Sequence, residues 1–152
     1  MITNRRRANF WLPRAIELGR RIKGMIDGAK FNLDFFGDTL ESTNPANFEE
    51  ASLCGFEGCL AGWCGLGSQF RRAGLRYKDG TLQFRGDFGF ESLAYFFGVT
   101  ESAATIIFGI SDRNWPLGSD QSLDPHNPDH AVERLIRFCK DHDVPVPAEE
   151  GA

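Results

Sequence analysis

Cys54-Gly55-Phe56-Glu57-Gly58-Cys59-Leu60-Ala61-Gly62-Trp63-Cys64-Gly65-Leu66-Gly67 is the stretch on which the fold turns. Five glycines in fourteen residues argue against an isolated helix, since each costs about 1 kcal/mol against Ala in a helix interior. Phe56, Cys59/Leu60, Trp63 and Leu66/Gly67 nevertheless keep helical spacing. Gly58 and Gly62 form a small-xxx-small edge that lets another backbone come close. The reading is a buried central helix over 56–65, stabilised by burial, with a short helical turn over Ser68–Arg72 before Gly74.

Upstream, Leu12, Ile16, Gly19, Ile22 and Ile26 recur at spacings of three and four, with Pro13 suited to a first turn and Gly28 placed as a stop. They predict a helix over 13–27, preceded by a basic arm over 1–10. Phe31-Asn32-Leu33-Asp34-Phe35-Phe36 suits a short extended piece, and Gly37-Asp38 and Ser42-Thr43-Asn44-Pro45 are turn chemistry. Downstream, Leu75–Lys78 and Thr81–Phe84 flank Asp79-Gly80, the pattern of a two-residue type I′ hairpin. Phe90, Leu93, Ala94 and Phe97 mark a helix ending at Gly98, and Thr100 caps another through Phe108. A loop covers 114–125. Asn127-Pro128-Asp129 opens a last helix with Val132, Leu135, Ile136 and Cys139 on its buried stripe, and the tail over 144–152 is expected to fray. The fold class is α+β: one mainly helical domain over 1–152, with the Gly/Cys helix at its centre and one β-hairpin at its side.

Length and composition agree: 152 residues, 41% hydrophobic and 25% charged, describe about one globular domain and exclude collagen-like and wholly disordered chains. Met1–Arg7 is basic as an export signal would be, but no apolar stretch follows. No uncharged window reaches the roughly 20 residues needed to cross a bilayer. A cytoplasmic setting without a membrane partner is expected, in which the four cysteines default to packed thiols.

Three chemistries deserve weighing. Cys54-x4-Cys59-x4-Cys64 offers soft ligands for a small structural zinc site. Five residues of helix advance about 500°, however, so the thiols diverge around the axis, and only Cys54 with Cys59 stays open as a metal pair. Cys54 ahead of a helix start can favour its thiolate, so a cysteine hydrolase would pair Cys54 with His126 or His130, oriented by Asp124 or Asp129. The ordinary role of His130 is in the first turn of a helix. No Gly-rich phosphate loop of recognised order is present, and no cofactor is expected.

Charge is more informative. Arg5, Arg6, Arg7, Arg14, Arg20, Arg21 and Lys23 against Glu17 alone give +6 over residues 1–24, which leaves −10 for the rest of a chain of net charge −4. Between Phe31 and Phe70 lie Asp34, Asp38, Glu41, Glu49, Glu50 and Glu57 with no Lys or Arg. The 14 Phe include Phe31, Phe35, Phe36 and Phe48, which sit in or beside this acidic block without a helical period to bury them. Phe31, Asp34, Phe35, Phe36, Asp38, Glu41, Phe48, Glu49 and Glu50 are therefore the candidate surface for a protein partner. Solvated faces and internal pairing are the ordinary alternative for these charges. Nucleic acid is expected only through the basic arm of Arg5, Arg6, Arg7, Arg14, Arg20 and Arg21, and self-association is compatible with the pattern.

Cys54-Gly55-x3-Cys59-Leu60-Ala61-Gly62-Trp63, preceded by Phe31-Asn32-Leu33, resembles a family of small uncharacterised phage and bacterial proteins with a C-G-T-x-x-C-x-A-G-W-like core. The likeness continues at Phe97–Glu101 with Ile107-Phe108, at Trp115-Pro116 and at Pro128–Ala131, covering roughly 31–140. Phe56 stands where a Thr is common, and Cys64 is additional. The resemblance implies a phage or mobile-element setting and no particular chemistry. Taken with the charge split, it leads to the expectation of a non-enzymatic accessory protein that binds a macromolecule, such as a component of a host defence system.

Overall fold

The computed structural model describes residues 1–25, 30–31, 36–37, 44–53, 56–109 and 128–149. In chain order the elements are α1 (Arg5–Met25), β1 (Lys30–Phe31), α2 (Phe48–Leu53), β2 (Glu57–Gly58), α3 (Leu60–Cys64), α4 (Ser68–Arg72), β3 (Arg76–Lys78), β4 (Thr81–Phe84), β5 (Asp87–Phe88), α5 (Gly89–Phe97), α6 (Glu101–Phe108) and α7 (Pro128–Asp141). The architecture is mainly helical α+β. β1 pairs with β2 in parallel, and β3-β4-β5 form an antiparallel sheet.

The first helix is longer than its apolar period suggests. The Asn4 side chain accepts from the Arg7 amide at 3.1 Å and its carbonyl from Ala8 at 3.0 Å, so the cap lies at Asn4 and Pro13 falls inside the helix. Interior proline costs roughly 3 kcal/mol, which the complete burial of Leu12, Ala15 and Ile16 offsets. The basic segment over 1–10 is consequently no free arm. Ile2 bridges Val99, the amides of Thr3 and Asn4 donate to the Gly98 carbonyl at 2.9 and 3.0 Å, and Thr100 donates back to Met1 at 2.9 Å.

The central Gly/Cys element is corrected in extent. Phe56 is buried as expected, but Glu57–Gly58 is extended and pairs with Lys30–Phe31, so the helix is confined to Leu60–Cys64, every residue of it buried. The small edge of Gly58 and Gly62 does receive a backbone: a Cβ on either would collide with the Phe36 carbonyl oxygen.

The hairpin forms as read, with Arg76, Tyr77 and Lys78 opposite Gln83, Leu82 and Thr81, and with positive φ at Asp79 (52°) and Gly80 (81°). A second turn of the same kind, Arg85 (52°) and Gly86 (86°), adds β5, pairing Gln83 with Phe88 and Phe84 with Asp87. That third strand, and the short α2, lie outside the sequence reading. Gly98 in the left-handed conformation stops α5, and the Thr100 hydroxyl accepts from Ala103 at 3.1 Å to start α6.

α1 packs against α7, α5 and α3, and phenylalanine fills the space between. Phe96 lies 4.7 Å from Trp11, 5.1 Å from Phe84 and 5.0 Å from Phe97 between ring centroids, and Phe97 lies 4.9 Å from Phe108. Most of the phenylalanine excess is therefore core material. The expected fraying of 144–152 is corrected for its described part: Val144 is buried, Val146 packs on the core, and Arg20 donates to the carbonyls of Pro147 (2.7 Å) and Ala148 (3.3 Å). No described helix is long and apolar enough to cross a membrane.

Candidate functional site

The predicted partner surface is only partly a surface. Asp34, Phe35, Asp38 and Glu41 lie outside the described residues, and Phe31 takes its place in β1. Phe36 and Phe48, expected to be unburied, are half-buried against the core: Phe36 meets Phe90 edge-on at 5.0 Å, and Phe48 lies 5.8 Å from Trp63. The aromatic density of the interior, which a local period does not reveal, explains this. Glu49 and Glu50 are exposed in the first turn of α2. Glu50 accepts from the Ala46 amide at 2.5 Å while the Asn47 side chain accepts from the Glu50 amide at 2.9 Å, a reciprocal cap that gives Glu50 a local structural task.

The arginines do not form one basic patch. Arg5 donates to the His142 carbonyl at 2.6 Å, and Arg20 holds the C-terminal segment. Arg14 donates to the Phe10 carbonyl at 2.6 Å with its guanidinium 3.5 Å from the Phe10 ring centroid. Arg7 is drawn inward: its Nε donates to the Phe96 carbonyl at 2.7 Å, and its guanidinium lies 5.2 Å from the Phe84 ring and 5.1 Å from the Phe96 ring. Burial, and then the nearby Arg85, lower its pKa. Arg6 and Arg21 remain exposed.

Among the cysteines, Cys54 lies outside the described residues, as do Asp124 and His126. Cys59, Cys64 and Cys139 are buried free thiols. Burial pushes Cys59 up to about 11 against the opposing pull of neighbouring backbone amides and Cys139 up to about 12, and burial, then the nearby Cys59, raises Cys64 well above the usual thiol value. Such thiols are protonated and apolar near neutral pH, the state in which a cysteine is a poor nucleophile. His130 sits half-buried in the first turn of α7 beside exposed Asp129. No three of His, Cys, Asp and Glu gather as metal ligands among the described residues.

Two features escape a linear reading. Phe88 and Tyr95 are 58% and 60% exposed. Phe88 ends β5 at the start of α5 and Tyr95 lies in the last turns of that helix, whose Leu93, Phe96 and Phe97 are fully buried. Directly paired residues of an antiparallel sheet share a face, so Arg76, Gln83 and Phe88 run in one row across the outer side of β3, β4 and β5. The alternation of Arg76 and Lys78 with Leu75 and Tyr77 announces that face; the position of Phe88 requires the Arg85-Gly86 turn.

Compared with protein-family models, with curated proteins and with solved structures, the chain matches none.

Proposed function

We propose that the chain is a non-enzymatic accessory protein of a phage or mobile element that works by binding a protein of its host, with a defence component as the partner class. The observation that carries this reading is the exposed pair Phe88 and Tyr95 on a rigidly seated helix and strand end. Aromatic side chains held out from a fixed mount supply contact area at little entropic cost and are enriched among interface anchors. Glu91 is exposed between them and Arg85 is exposed beside β5, giving the anchors a polar rim. The sequence resemblance supplies the setting, and the buried, protonated state of Cys59, Cys64 and Cys139 favours binding over thiol chemistry.

The test uses the tagged full chain expressed in a bacterial host, beside a Phe88→Ser/Tyr95→Ser variant whose circular dichroism matches the wild type. A stoichiometric partner that co-elutes with the wild type and is lost with the variant is the expected result. Equal recovery by both would remove the surface from the reading, and the lack of any stoichiometric partner would overturn binding itself.

A further inference from the structure

A cleft of about 180 Å³ opens between the Asn44–Ala46 segment, the end of α4 and the outer face of β3. Among the described residues that line it are three cations, Arg71, Arg76 and Lys78, and no carboxylate. Arg76 and Lys78 are alternate residues of one strand, so they stand on the same face roughly 7 Å apart along it. Gln83 faces Arg76 across the ladder.

Among the described residues, neither Arg76 nor Lys78 has an ion-pair or hydrogen-bond partner, and Arg71 makes only a long bond of 3.4 Å to the Gly65 carbonyl. Asp79 is adjacent to Lys78 in sequence, yet its Oδ1 accepts from the Asn44 side chain at 2.9 Å while its amide donates to Asn44 Oδ1 at 2.7 Å. That reciprocal pair holds the Asp79 carboxylate against Asn44 and fixes the wall of the cleft, with Pro45 buried behind it. An amide carries two N–H groups, so Asn44 keeps one donor, and the Gln83 amide is unengaged among the described residues.

We propose that this cleft binds a phosphate monoester or pyrophosphate group. Two guanidinium forks and an ammonium match an oxyanion with two or more charges, to which Asn44 and Gln83 add neutral donors. A singly charged carboxylate or phosphodiester would leave two of the three cations unbalanced. A cleft of about 180 Å³ has room for a phosphate or pyrophosphate group. The cleft adjoins Phe88 through the Arg76–Gln83–Phe88 row, but the proposal does not rest on the host-protein reading.

The test is a titration of the full-length protein with inorganic pyrophosphate at low salt, followed by amide chemical shifts and calorimetry. Saturable 1:1 binding with shifts centred on Arg71, Arg76 and Lys78 is expected, weakened at least about tenfold by Arg76→Gln/Lys78→Gln. These side chains are exposed, so the variant should fold; Arg71→Gln, on a different element, should weaken binding independently. Failure to saturate, or an equal response to sodium sulfate at matched ionic strength, would overturn the proposal. Preference for an oligothymidylate lacking terminal phosphates would also overturn it, making the face a phosphodiester surface.

Discussion

The carbonyl oxygen of Phe36 occupies the space that a Cβ on Gly62 would need. Because the same oxygen also blocks Gly58, the chain around Phe36–Gly37 is seated directly on the backbone of β2 and α3. Gly62→Ala should therefore cost about 3 kcal/mol, at the upper end of overpacking effects, measured as a fall in the urea midpoint without a change in slope. Gly86→Ala is the control: open space surrounds that position and only its φ of +86° resists a side chain, so its cost should stay near 1–2 kcal/mol.

Arg7 and Arg6 are neighbours in sequence with opposite fates. Arg7→Ala removes the bond to the Phe96 carbonyl and the contacts with the Phe84 and Phe96 rings, and should lose about 2 kcal/mol. Arg6 is exposed, so Arg6→Ala should fall within about 0.5 kcal/mol of the wild type. Arg7→Met keeps part of the apolar stem and should recover part of the loss. Equilibrium unfolding of the three variants checks the order.

The buried thiols give a pH dependence of definite sign. In the unfolded chain a cysteine titrates near 9.0, whereas the fold holds Cys59 to about 11 and Cys139 to about 12. Between those limits the unfolded state has lost protons that the native state keeps. Stability is full below pH 9 and falls as the pH rises towards 11 and 12, by up to about 1.4 kcal/mol per pH unit for each thiol. Urea titrations at rising pH should show this decline, and Cys139→Ala should flatten it.

Alkylation tests the same burial and the cysteine-hydrolase alternative together. With iodoacetamide near neutral pH, Cys59, Cys64 and Cys139 should stay unlabelled until denaturant is added. The rate at Cys54, read by peptide mass mapping, should not exceed that of an unperturbed thiol with a pKa of about 8.5; faster labelling would favour the hydrolase.

Arg20 fastens the segment after α7 to the first helix through the Pro147 and Ala148 carbonyls. Arg20→Ala should expose that segment to limited proteolysis beyond Val144 while leaving the helical signal within a few per cent. Digestion followed by mass spectrometry reads the difference.

How far the molecule could be read in advance depended on how local each cause was. The Asp79-Gly80 hairpin, the Gly98 stop, the Thr100 cap and the Pro128 start each rest on two or three adjacent residues, and each stands where the sequence places it. No local period announces the partial burial of Phe36 and Phe48, because it comes from Phe90 and Trp63, distant in the chain. The cleft lined by Arg71, Arg76 and Lys78 was illegible for the same reason, since Arg71, Arg76 and Asn44 meet only after α4, β3 and the Asn44–Ala46 segment are assembled.

By itself, the sequence determined that Gly58 and Gly62 would permit the close approach of another backbone, because neither carries a Cβ. Tertiary structure decided which backbone, how short the Gly/Cys helix would be, and that Arg5, Arg7 and Arg20 would bond to carbonyls elsewhere in the chain. Steric permission is a property of single residues, whereas burial and charge pairing belong to pairs that only the completed fold brings together.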